Sequence, residues 1–310
     1  MLSGYRSSVL IIEAPDLHLP GQGRTHERLR GLTALGRADL VAARLWEGHL
    51  DAVAIRAELG DDAETRPGSR WGVWAAAPDS VRAVPGPSGW RLTGDRPWCS
   101  GAEWCSHALV TAAAPDGVRL FAVANERPSA EPLDGTWPAV GMAGSDSRTV
   151  RFTDAPARPV GGPGSYVDRP GFWHGGIGVA AVWYGGALGV ADKLRAAFAK
   201  DRSPHAYAHL GAVDVALGTA EDVLAAAATA IDAAPSERRH RLALRVRATV
   251  EAAATTVLDR VGRALGAGPL CQDGEHARRV ADLTVYLRQS HAEDDLEQLG
   301  RLLIAEDRSW

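Results

Sequence analysis

The sequence predicts an α+β multidomain protein in three parts: a shortened N-terminal helical domain over 1–68, a middle β-barrel or β-sandwich domain over 69–165, and a C-terminal helical bundle over 166–310. Three observations carry this reading. Apolar residues recur at three- and four-residue spacing between about 25 and 59. Short apolar runs punctuated by Gly, Pro and Asp fill the stretch from 70 to about 160. From 171 onward the helical period returns and persists, with short connections between its runs, the pattern of a four-helix bundle.

In chain order, a short apolar run, Val9-Leu10-Ile11-Ile12, leads into a connection containing Pro and Gly. Leu29, Leu32 and Leu35 mark a first helix that Gly36 breaks. Leu40, Ala43 and Leu45 belong to a second, over about 39–59, with Asp39 as its N-cap. The stretch 60–68 is a linker. Trp71-Gly72-Val73-Trp74 opens the β region, followed by a strand over 81–84 and a Pro-Gly-Pro-Ser-Gly turn. Next comes a hairpin, Gly89-Trp90-Arg91-Leu92-Thr93-Gly94 into Asp95-Arg96-Pro97-Trp98-Cys99-Ser100. Side chains in a strand alternate, so Trp98 and Ser100 are expected to share one face. Runs at 107–111 and 118–123 flank a Pro115-Asp116-Gly117 turn, and a last strand covers 147–154. Helices are expected over 171–200 and 205–233, and from Pro235-Ser236 to the stop at Gly266-Ala267-Gly268-Pro269. Two more follow: one capped by Asp273 and running to about Gln289, and one over 293–305.

Composition narrows the classes. The chain has 310 residues, 45% hydrophobic and 23% charged, the profile of a folded globular protein large enough for more than one core. A net charge of −4 argues against nucleic acid as a partner. Cys99, Cys105 and Cys271 form no metal-type spacing and read as reduced, buried thiols, with no metal. The N-terminus lacks a basic, then apolar, then small-residue secretion pattern, so a cytoplasmic location is expected. The stretch 171–191 has no charged residue and is long enough to span a bilayer. It also holds His174 and seven glycines, so it reads as a buried helix whose glycines permit close helix approach, with no membrane partner.

The hairpin resembles the middle domain of the acyl-CoA dehydrogenase family, which carries Gly-Trp-x-Leu-x-Gly, a gap, and Trp-Ile-Thr-Asn-Gly. Gly89, Gly94, Trp98 and Ser100 match that pattern; Cys99 and Gly101-Ala102 depart from it. Downstream, Gly141-Met142-Ala143-Gly144-Ser145-Asp146 leads into Ser147–Asp154, like the family's Gly-Met-Arg-Gly-Ser turn and following strand, with Ala143 in place of Arg. The helix, β-domain, bundle order is also the family's, so the resemblance covers about 25–306.

The resemblance implies FAD as cofactor, with Trp98 packing on the isoalloxazine and Ser100 hydrogen-bonding near its N5. Trp74 and Ala75 stand where the family has an acidic loop over the flavin, so their contacts would be through backbone. Arg202 and the Gly266-Ala267-Gly268 turn loosely correspond to phosphate-binding elements; a plain helix C-cap explains that turn equally well. Glu47 and His49 lie on a helix that borders the family's substrate cavity, or else form a solvated or core-capping pair. The family's base is a glutamate in an aromatic-Glu-Gly-Thr motif. Here His291, Glu293 and Asp294 are the candidates, though an acidic helix start also serves capping and the helix dipole.

The implied reaction is α,β-dehydrogenation of an acyl thioester or related small substrate, with electrons passed to an electron-transfer flavoprotein. One alternative is a flavin monooxygenase of the same fold, served by a flavin reductase. Another is a cofactor-free homologue acting as a binding subunit. A homodimer or homotetramer is implied.

Overall fold

The computed structural model describes residues 16–63, 67–200 and 203–305. The chain divides into two compact units. The first, a β unit, contains Arg44–Ala139 and Ala143–Phe172; the second, a helical unit, contains 16–43, Val140–Met142 and 173–305. The run Val9–Ile12 and Arg202 lie outside the described residues.

Among the described residues, seven strands build the β unit: β1 (Trp71–Trp74), β2 (Val81–Gly86), β3 (Gly89–Arg96), β4 (His107–Ala114), β5 (Gly117–Ala124), β6 (Ala130–Pro132) and β7 (Val150–Val160). The order β1-β4-β2-β3-β7-β5, with a further β4–β5 ladder, closes β4, β2, β3, β7 and β5 into a barrel; β1 and β6 attach at its sides. Alternation fills the interior. Val81, Ala83, Leu92, Val110, Phe121, Val123, Val150 and Phe152 point inward from successive strands. β4 is apolar on both faces because both are covered. Ala108, Val110 and Ala112 face the barrel core. Leu109 packs outside it with Ala52 and Ile55 of the second helix and with Trp71, Leu120 and Val160.

Gly94 sits at a register shift in β3, with φ +136°. A Cβ there would lie 2.3 Å from the Ser80 carbonyl oxygen, so only glycine fits. β3 ends at Arg96, earlier than the alternation argument requires. Pro97 has no N–H to extend the ladder, and Trp98 takes φ +57°. Trp98 and Ser100 therefore do not share a strand face. They lie on a turn.

The helical unit takes α1 (Thr25–Ala38) and the start of α2 (Leu40–Glu58), which continues into the β unit. It then takes most of α3 (Pro170–Ala196), with α4 (Pro204–Ala233), α5 (His240–Leu265), α6 (Gly274–Tyr286) and α7 (Glu293–Ala305). Asp39 Oδ1 accepts from the Ala42 N–H, and Asp273 Oδ1 from the Glu275 and His276 N–H groups, as caps should. The third bundle helix starts at His240, not at Pro235: Arg239 takes φ +37° and a Glu237-to-Ala234 backbone bond closes a turn before it. The uncharged stretch within α3 is core, with Ile177, Val182, Trp183 and Val190 fully buried. Among the described residues no helix is long and apolar enough to cross a membrane.

Glycine sets the α1–α3 crossing. A Cβ on Gly36 would lie 2.3 Å from the Val182 carbonyl oxygen, and one on Gly185 would lie 2.1 Å from that of Thr33. Each helix needs its glycine where the other's backbone passes. Gly36→Ala and Gly185→Ala should each destabilise by about 1–3 kcal/mol through overpacking. Gly218→Ala, in the middle of α4 with nothing within 4 Å of the new methyl, should stabilise by about 0.5–1 kcal/mol from helix propensity. Chemical denaturation of the three variants checks both signs.

Candidate functional site

The polar features of the β unit gather where the loop after β3 meets the turn before β7. Cys99 N–H donates to the Arg148 carbonyl (3.0 Å), Gly101 N–H to that of Ser145 (2.7 Å), and Ala102 N–H to that of Asp146 (3.1 Å). Asp146 Oδ2 accepts from the Glu103 N–H, and Arg148 pairs with Asp146, Asp134 and Glu103. Ser100 N–H donates back to the Trp98 carbonyl at 3.0 Å, a γ-turn centred on Cys99.

Within this frame Trp98 is 61% exposed. A bulky side chain at positive φ with its indole in solvent is unusual on two counts. Beside it Ser100 Oγ lies 2.8 Å from Ser147 Oγ, which lies 2.8 Å from Ser145 Oγ. Ser145 and Ser147 are buried, so a chain of three hydroxyls runs from a half-buried position inward.

Two buried groups set the loop's shape from beneath. Trp74 Nε1 donates to the Ser100 carbonyl at 3.0 Å, with its ring in the barrel core against Phe152. Arg96, fully buried, donates to the carbonyls of Ala76, Ala77 and Thr111. Burial pulls its guanidinium down to about 10, against a smaller upward effect of the Asp79 charge. The Ala75 carbonyl accepts from Thr111 Oγ1.

On α2, Glu47 is buried and paired with Arg44 at 2.6 Å. His49 Nδ1 accepts the Trp71 backbone N–H at 3.2 Å, which places the ring proton on Nε2. Trp46 lies edge-on to both His49 (5.7 Å) and Trp104 (5.0 Å).

The helical unit holds the other candidates. His291 is exposed, with Nδ1 3.4 Å from Oδ1 of the buried Asp295. Glu293 and Asp294 are exposed in the first turn of α7. Gly266, Ala267 and Gly268 are exposed; Gly266, at φ +68°, is the C-cap of α5 and donates its N–H to the Gly262 carbonyl. Cys99 and Cys105 are buried, as expected, and burial holds both thiols protonated, Cys105 up to about 12. Cys271 departs from the expectation: it is exposed.

No family model and no curated protein matches the chain. Solved structures do. KijD3 in complex with FMN and dTDP-3-amino-2,3,6-trideoxy-4-keto-3-methyl-D-glucose is 19% identical, with a TM-score of 0.78 over 92% of this chain and 81% of its own. TdsC from Paenibacillus sp. A11-2 with FMN and indole is 18% identical, with a TM-score of 0.75 over 92% and 84%. XiaF from Streptomyces sp. with FADH2 and glycerol is 21% identical, with a TM-score of 0.69 over 89% and 80%. The chain has an acyl-CoA dehydrogenase-like fold. At these identities the likeness is one of fold.

Within the acyl-CoA dehydrogenase-like fold, the structure brings Trp98, Ser100, Trp74 and Ala75 together in one unit. His291, Glu293 and Asp294 form one segment of the other. Sequence reasoning missed Ser147 and Ser145 as partners of Ser100, Arg96 beneath the loop, and Asp295 beside His291. Only Asp295 left a signal, the four-residue spacing that puts two side chains on one helical face.

His49 supplies a pH test. Burial lowers its proton affinity below the ordinary value of 6.5. The folded state therefore binds fewer protons there than the unfolded chain does. The stability it contributes is present above that value and is lost as pH falls through the depressed one. His240 and His276 act in the same direction. The melting temperature should fall between about pH 7 and about pH 5. It should fall less in His49→Asn, which keeps an acceptor that cannot be protonated in this range. Melting curves of both proteins across that interval check this.

Proposed function

We propose that the chain is a flavin-dependent oxidoreductase. The observation that carries this is the exposed Trp98 indole, held at positive φ beside the Ser100–Ser147–Ser145 hydroxyl chain, on an acyl-CoA dehydrogenase-like fold. An aromatic face and an oriented hydroxyl are what a ring system with polar edge atoms requires. The flavins bound by KijD3, TdsC and XiaF support the same assignment.

In this reading Trp98 covers the isoalloxazine. Ser100, its hydroxyl fixed by Ser147, bonds the ring's polar edge, and the backbone at Trp74 and Ala75 borders it. FAD is the form we propose, with its pyrophosphate falling to Arg202 and the Gly266-Ala267-Gly268 turn. The flavin, when bound, supplies the two-electron acceptor that no side chain provides. The chain's own part is to orient the substrate, exclude water and take a proton. Glu47 and His49 border the substrate, and His291, Glu293 or Asp294 accepts the proton.

The reaction we propose is dehydrogenation of an acyl thioester or related small molecule, with an electron-transfer flavoprotein as oxidant. The second reading, oxygen-dependent hydroxylation fed by a flavin reductase, is favoured by the imidazole of His291 in the base segment and by similarity to TdsC, a dibenzothiophene monooxygenase. A homodimer or homotetramer is part of the proposal. So is a cytoplasmic location, which the free thiols support.

Calorimetric titration with FAD and with FMN tests the site. Trp98→Ala combined with Ser100→Ala should weaken binding about tenfold or more, the loss of roughly one stacking contact and one hydrogen bond. Its melting temperature should fall only modestly, because the Trp98 side chain is exposed and the Ser100 hydroxyl contributes one hydrogen bond, worth about 1 kcal/mol. Unchanged affinity would show that the flavin lies elsewhere. Thioester-dependent reduction of an artificial acceptor supports dehydrogenation; oxygen uptake that requires reduced flavin and substrate supports hydroxylation.

A further inference from the structure

The base segment holds three candidates, and its geometry separates them. Glu293 and Asp294 are exposed residues of the first turn of α7, where carboxylates serve the helix dipole. His291 differs. Just after it, Ala292 takes φ +46°, a left-handed conformation that costs an alanine about 1 kcal/mol or more. The turn is then fixed by bonds from the Asp294 N–H to the His291 carbonyl (3.0 Å) and from the Leu296 N–H to that of Ala292 (3.1 Å). This brings the His291 ring over the side chain four residues on, with Nδ1 3.4 Å from Asp295 Oδ1.

Asp295 is 8% exposed, and its Oδ2, buried without a hydrogen bond, faces a cation. That oxygen lies 3.8 Å from Nε of Arg247, on α5. Arg247 also donates to the carbonyls of Gly176 (3.2 Å) and Gln289 (3.4 Å), and its guanidinium lies 4.8 Å from the centre of the buried Trp183 ring. The carboxylate therefore sits on a platform drawn from α3 and α5. A carboxylate facing Nδ1 favours the tautomer with its proton on Nδ1, leaving the Nε2 lone pair outward.

We infer that Asp295, braced by Arg247, is a positioning residue that orients His291 and makes it the proton acceptor of this segment in preference to Glu293 and Asp294. What the acceptor serves rests on the oxidoreductase reading; the dyad itself does not.

The charged groups around His291 are Asp295, Glu293 and Asp294 on its own segment, and Arg247 on α5 behind Asp295. The Arg288–Glu251 pair joins the segment before α7 to α5. His240, at the start of α5, also feels the Asp295 charge and serves as an internal comparison.

The test is nitrogen NMR of the full chain labelled at histidine, without flavin, with His291 assigned through His291→Gln. The wild type should show the Nδ1–H tautomer at neutral pH. In Asp295→Asn the Nδ1–H population should fall, because the carboxylate that favours it is gone. The titration midpoint of His240 should fall in the same variant, since it loses the Asp295 charge, and Asp295→Glu should restore part of both effects. An Nε2–H tautomer in the wild type overturns the proposal without any variant. An unchanged tautomer in Asp295→Asn overturns it too. Because no flavin is present, a chain that binds none would defeat the functional reading and leave this result standing.

Discussion

The site in the β unit depends on one contact: the seam between the loop after β3 and the turn before β7. Neither stretch has a ladder of its own. Three backbone hydrogen bonds, from Cys99, Gly101 and Ala102 to the carbonyls of Arg148, Ser145 and Asp146, pin one to the other. Backbone donors that leave a sheet must find partners or lose a bond's worth of free energy each. The seam supplies those partners, and it also carries the three serine hydroxyls into register. Trp98 can stand exposed at positive φ because the residues after it are over-determined.

Beneath the seam, the barrel's largest buried groups serve the loop as much as the core. Trp74 is the clearest case. Its ring fills barrel volume while its one polar atom holds the Ser100 carbonyl. Arg96 does the same with charge, gathering the carbonyls of Ala76 and Ala77, just after β1, and of Thr111 in β4. A buried guanidinium is costly, and several carbonyl acceptors are the means by which it is tolerated. In the helical unit, glycine at the α1–α3 crossing lets two backbones touch, and the bundle builds outward from that line.

Much of this was legible in the sequence, and the parts that were not share a cause. Helical period and capping chemistry are local, so α7 is found at Glu293–Ala305 as expected, and Asp273 caps α6. Period-two patterns placed β1 at Trp71–Trp74 for the same reason. The order of the Trp-x-Ser and Gly-Met-x-Gly-Ser-Asp motifs pointed to the acyl-CoA dehydrogenase-like fold. What failed was the step from strand period to site geometry. No local rule announces a tryptophan in the left-handed region, and Pro97 marks the end of the ladder only once the partner strand is known. Ser147 could not be paired with Ser100 because the two are 47 residues apart. Asp295 faces Arg247, which lies on another helix, a proximity that no local spacing reveals.

The measurement that tests the central claim most directly is the visible absorbance spectrum of the purified chain, before and after equilibration with FAD and FMN and removal of the excess. The account predicts a retained, protein-perturbed flavin spectrum near one flavin per chain, with the indole of Trp98 quenched in parallel. A protein that stays colourless with both flavins, and keeps its tryptophan emission unchanged, would contradict the redox reading. It would point instead to a cofactor-free member of this fold, with the Trp98 turn serving as a contact for a partner protein.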